Sequence, residues 1–86
     1  MGEILITFIK QSSAYKLKKA AKISGIGAKV VQTPKELSAG GCSYAVLAKR
    51  ADVSKLLNLC NNYAIDYRKI LAIYSDINGK KVYNEL

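Results

Sequence analysis

The chain has 86 residues, half of them apolar, with fourteen Lys/Arg against six Asp/Glu (net charge +8), two cysteines and no histidine. That length holds one domain with a thin stability margin, and no apolar run nears the ~20 residues that cross a bilayer. Without histidine the commonest general base and metal ligand are missing, and two cysteines fall short of a four-ligand zinc site, so neither metal nor cofactor is expected.

In chain order, Ile4, Ile6 and Phe8 alternate with Leu5, Thr7 and Ile9, which predicts a central strand with apolar groups on both faces. Gln11-Ser12-Ser13 follows, where a serine can cap the next helix. Ala14, Leu17, Ala21 and Ser24 recur at helical spacing, widened by Ala20 and Ile23, and Lys16, Lys18, Lys19 and Lys22 fill the other positions. Gly25 suits the residue after a helix end, and Ile26 the hydrophobic contact of a Schellman motif. A valine-rich strand over 28–32 is closed by Thr33-Pro34, since the residue before proline is driven to extended geometry. After a loop holding Gly40 and Gly41, residues 43–50 read as a third strand. Asp52 looks like a helix cap, with Val53, Leu56, Leu57, Cys60 and Ala64 along one helical face. A fourth strand is expected over 67–74, and Asn78-Gly79 predicts a hairpin into a short fifth one.

The order β-α-β-β-α-β plus a hairpin is the α+β, ferredoxin-like split β-α-β pattern: an antiparallel sheet with two helices on one face, as a single domain over 1–86. That architecture hosts unrelated activities, so function has to be argued from residues. The start, Met-Gly-Glu-Ile-Leu-Ile, has no basic region before its apolar residues and no small-residue cleavage site. A cytoplasmic location is therefore expected.

The two thiols have different surroundings. Cys60 is in register with Val53, Leu56 and Leu57, so it is expected to be a small core hydrophobe. Cys42 leaves a glycine-containing loop at the start of a strand. Gly40 and Gly41 can turn successive N–H groups toward one anion, and Lys35 adds positive charge to the same loop; both favour a thiolate, the species that attacks sulfur. A helix climbs only ~1.5 Å per residue against ~3.3 Å for a strand. Cys60 therefore comes level with Val46 or Leu47, and the distance to Cys42 exceeds the ~7 Å Cα limit, so no disulfide is expected.

The Ile-Thr-Phe strand, the first helix ending at glycine, the run Thr33-Pro34-Lys35-Glu36-Leu37-Ser38 and the cysteine before an alternating strand resemble the selenium/sulfur carrier-like proteins, small bacterial domains. The resemblance spans roughly residues 3 to 75 and is most specific over the loop from Thr33 to Cys42. It implies one cysteine, Cys42, that holds sulfur or selenium as a persulfide or selenosulfide, with Lys35 and Ser38 matching the family's basic residue and serine. Ser43 stands where the family often has glycine, which alters the thiol pocket formed with Gly40, Gly41 and Lys35.

Three readings of function follow. The first is a non-catalytic carrier: Cys42 takes sulfur or selenium from a donor protein and yields it to an acceptor, and Lys16, Lys18, Lys19 and Lys22 dock an acidic partner. The second is an interaction domain that pairs through the open edge of strand 2. The third, ranked last, is RNA binding with Phe8 and Tyr44 as the stacking aromatics. None requires a membrane.

Overall fold

The computed structural model describes residues 2–33 and 44–86. The described elements are β1 (Glu3–Phe8), α1 (Gln11–Ile23), β2 (Ala28–Gln32), β3 (Tyr44–Lys49), a 3-10 turn (Arg50–Asp52), α2 (Val53–Asn62), β4 (Ile70–Ser75) and β5 (Lys81–Glu85). All strand neighbours are antiparallel, and the sheet order is β2-β3-β1-β4-β5. The result is a small α+β arrangement of two helices and a five-stranded antiparallel sheet.

β1 is central because both of its faces are apolar. Ile4, Ile6 and Phe8 join Leu17 of α1 and Leu56 of α2 in the larger core cluster, whereas Leu5 joins Ala45 and Leu71 in a second cluster on the opposite face. The register aligns Leu5 with Leu47 on one side and Leu71 on the other. Each large side chain buried this way contributes about 1.5–3 kcal/mol.

α1 starts at least two residues earlier than a serine cap would allow. Only Ile9 and Lys10 separate it from β1, so the chain turns at once: Lys10 is the cap residue, with extended backbone and no side-chain capping bond, and Ser12 and Ser13 fall inside the first turn. Ala14, Leu17, Ala20 and Ala21 form the buried stripe. Ile23 falls outside that arc and is 72 % exposed. The helix ends as the sequence predicts. Gly25 has φ +75°, its N–H reaches the Lys22 carbonyl at 3.1 Å, and the Ile26 N–H reaches that of Ala21 at 2.8 Å. Those are the two bonds of a Schellman motif, and Ile26 is buried beside them.

Asp52 precedes α2 as expected but makes no side-chain cap bond, because the 3-10 turn already carries the chain into the helix. Cys60 is in the core as predicted, Leu59 joins the buried set and Leu57 is half-buried. Ala64 lies beyond the helix instead of on its face. With φ 52° it fills the left-handed position of a second Schellman ending, in which the Ile65 N–H bonds the Cys60 carbonyl at 2.9 Å.

β4 begins at Ile70, later than the sequence predicts, and Thr7 is the cause. Its carbonyl accepts the Arg68 N–H and its N–H donates to the Lys69 carbonyl, both at 2.8 Å, so two residues face one as in a bulge. The Thr7 hydroxyl also takes the Lys69 N–H at 3.1 Å. The hairpin forms as predicted. Gly79 has φ +79°, and the Asp76 carboxylate accepts the N–H groups of Asn78 (2.9 Å) and Lys80 (2.8 Å). Among the described residues no helix is long and apolar enough to cross a membrane.

Candidate functional site

Antiparallel pairing gathers several chain segments at one end of the sheet. β1 finishes at Phe8 opposite Tyr44, where β3 starts, and β2 finishes at Gln32 opposite the same Tyr44. α1 follows β1 and so begins at that end too. Thr33 and Tyr44 are the described residues on either side of the Cys42-bearing loop. The thiol of Cys42 and its expected neighbours Lys35, Ser38, Gly40, Gly41 and Ser43 lie outside the described residues.

Thr33 is the unexpected feature of this end. It is only 7 % exposed, and its hydroxyl is buried with no hydrogen-bond partner among the described residues. A buried hydroxyl left unpaired costs about 1–3 kcal/mol. Nothing in the sequence marks it, because Thr-Pro reads simply as a strand ending.

The four lysines expected to dock a partner are exposed, on the side of α1 away from its buried stripe. They cluster because α1 packs Ala14, Leu17, Ala20 and Ala21 inward, which leaves the intervening positions to solvent.

Phe8 and Tyr44 are on the helix-covered side. Phe8 is fully buried in the larger core cluster and Tyr44 packs against it, so neither presents a ring to a base. The opposite face carries Leu5, Ala45, Leu71, Val31, Leu47 and Ile73, with Tyr83 on β5. RNA recognition through stacked bases needs aromatics on an open face. The two residues on which the RNA-binding reading rested are therefore not available for it.

Cys60 is a free, buried thiol. Burial pushes its pKa up, because desolvation disfavours the thiolate. The sign of the linkage is that of an acid raised in the folded state: above the ordinary thiol value, ~8.5, the unfolded chain loses a proton that the folded chain keeps. Stability is thus expected to fall as pH rises past that value. Urea melts of Cys60→Ala set against the parent chain should show this alkaline loss reduced in the variant; identical slopes would mean that Cys60 contributes nothing to it. The same burial makes Cys60 a poor nucleophile.

At the far end of the sheet, Arg50 donates to the Tyr74 hydroxyl at 2.7 Å, and its N–H bonds the Gly2 carbonyl at 2.9 Å. This pair ties β3's exit to β4 and the start of the chain, and it is structural.

A family model described as "Putative Se/S carrier protein-like" matches residues 3–72. It runs from the first residue of β1 into β4 and leaves β5 outside. No curated protein matches the chain.

Proposed function

The chain belongs to this Se/S carrier protein-like family, and on that premise we propose that it carries a sulfur or selenium atom on Cys42 and hands it to a partner protein. The observation that carries this reading is the family match across the whole Thr33–Tyr44 connection, together with the burial of Cys60. With Cys60 desolvated in the core, Cys42 is the one thiol left for exchange.

The transfer is a thiol exchange that balances without a redox partner. Cys42 thiolate attacks the outer sulfur of a donor persulfide, the new S–S bond forms on Cys42, and the donor's S–S bond breaks with the donor leaving as a thiolate. An acceptor nucleophile then attacks the same outer sulfur and Cys42 leaves as thiolate. Selenium follows the same steps through a selenosulfide. In this scheme Gly40 and Gly41 supply N–H groups to the anion, Lys35 supplies charge and Ser43 lines the pocket. Lys16, Lys18, Lys19 and Lys22 dock the donor or acceptor. Neither cofactor nor metal takes part, and the protein acts as a carrier, not an enzyme.

The same reading takes the fold to be the ferredoxin-like split β-α-β with β5 added at an edge, in a one-domain cytoplasmic protein. The element order and the strand order β2-β3-β1-β4 support it.

Intact-mass analysis after incubation with a cysteine desulfurase and cysteine tests the reading. A gain of one sulfur atom is expected in the parent chain and in Cys60→Ser, and none in Cys42→Ser. A gain that survives in Cys42→Ser, or no gain in any sample, would reject sulfur carriage on Cys42.

A further inference from the structure

We propose that β5 is a dimerisation edge: two copies of the chain pair β5 against β5, antiparallel and centred on Tyr83, and join their sheets into one. The inference goes beyond sulfur carriage and does not depend on it, and β5 lies outside the residues that match the family.

β5 is the last strand of the sheet and borders only β4. The hydrogen-bond phase of that pairing decides what its outer side offers. Along an antiparallel strand, one residue turns both N–H and C=O to its neighbour and the next turns both away. The Leu86 N–H reaches the Ile70 carbonyl at 2.9 Å and the Asp76 N–H the Lys80 carbonyl at 2.8 Å. In that phase Val82 and Asn84 bond to β4, whereas Lys81, Tyr83 and Glu85 turn their backbone groups outward, where no described strand receives them. Such an edge accepts another strand unless it is blunted. β5 has no proline and its register with β4 is unbroken.

The charges select the occupant. Lys81 and Glu85 lie two residues to either side of Tyr83. Antiparallel self-pairing centred there sets Tyr83 opposite Tyr83 of the second copy, and Lys81 opposite its Glu85 on both sides of the twofold axis. Every outward N–H and C=O of β5 is then bonded, and each lysine meets a carboxylate on the same face. A shorter slip of register puts Tyr83 opposite Lys81 or Glu85, and a longer one puts like charges together. Tyr83 also packs with the Leu5, Ala45 and Leu71 cluster on the helix-free face, so the paired tyrosines extend that cluster across the axis. β2, the opposite edge, has Lys29 as its only charge and cannot match itself in this way. A twofold β5 contact closes on itself, whereas β5 against β2 would leave free edges and polymerise.

Sedimentation velocity of the full chain up to millimolar concentration tests this with the parent, Lys81→Glu, Glu85→Lys and an equimolar mixture of the two variants. Both side chains are exposed, so neither substitution disturbs the core. The parent is expected to dimerise. Each variant alone sets like charges against each other and should associate at least about tenfold more weakly. Overall repulsion predicts otherwise: in a chain of net charge +8, Lys81→Glu would strengthen association. In the mixture both charges of one chain meet opposite charges of the other, so heterodimers should form near the parent level. A parent that stays monomeric or grows beyond a dimer would overturn the proposal. So would variants that dimerise like the parent, or a mixture that associates no better than its components.

Discussion

Phe8→Ala is expected to lower the unfolding free energy by about 3–5 kcal/mol, the cost of deleting a buried aromatic and leaving part of its volume empty. Phe8 is the largest of the fully buried side chains and closes the core where β1 meets β3 and α1 begins. A domain of this length has a total stability of only ~4–13 kcal/mol at about 0.05–0.15 kcal/mol per residue. The substitution should therefore remove a large share of the total stability. Phe8→Leu keeps most of the volume and should cost far less. Ile9→Ala, one residue on, removes a side chain that is 70 % exposed and should change stability by no more than about 0.5 kcal/mol. Urea denaturation of the three variants checks the order; equal losses at positions 8 and 9 would contradict the packing described for β1.

The double variant Lys18→Glu, Lys19→Glu is expected to slow sulfur transfer with an acidic partner by tenfold or more at low salt, and the difference should close near 0.5 M salt. Oriented surface charge changes association rates by about 10–1,000-fold and is screened within ~10 Å at 0.1 M ionic strength. Both side chains are exposed on α1, so neither substitution disturbs the core. The carboxylate introduced by Lys18→Glu would even face Lys22 four residues on, the favourable orientation for a helical ion pair, worth about 0.2–0.5 kcal/mol. A variant that keeps its melting temperature but transfers slowly would assign the basic side of α1 to docking. Equal second-order rate constants at low salt would remove it from the mechanism.

The exposure of these lysines was legible early because it needs only periodicity. Any helix that buries Ala14, Leu17 and Ala21 sends Lys18, Lys19 and Lys22 the other way. The same holds for the helix stop at Gly25, where a left-handed residue is needed locally, and for the turn at Gly79. Cys60 was readable as core because its partners Leu56 and Val53 share its helix. In each case the information lies within one or two turns of chain.

Other properties came only from contacts between distant segments. Alternation announced two apolar faces on β1 but not which one the helices would cover, and that choice removed Phe8 and Tyr44 as stacking aromatics. The late start of β4 depends on the Thr7 hydroxyl taking an N–H from Lys69, 62 residues away. The missing serine cap on α1 follows from how soon β1 must hand over to the helix. Thr33 shows the difference most clearly. In the sequence it is a threonine before a proline, the ordinary end of a strand. Only the packed sheet turns its hydroxyl into a buried group without a partner among the described residues, because burial and pairing are set by what lies across the fold, whereas conformational preference is set by the adjoining residues.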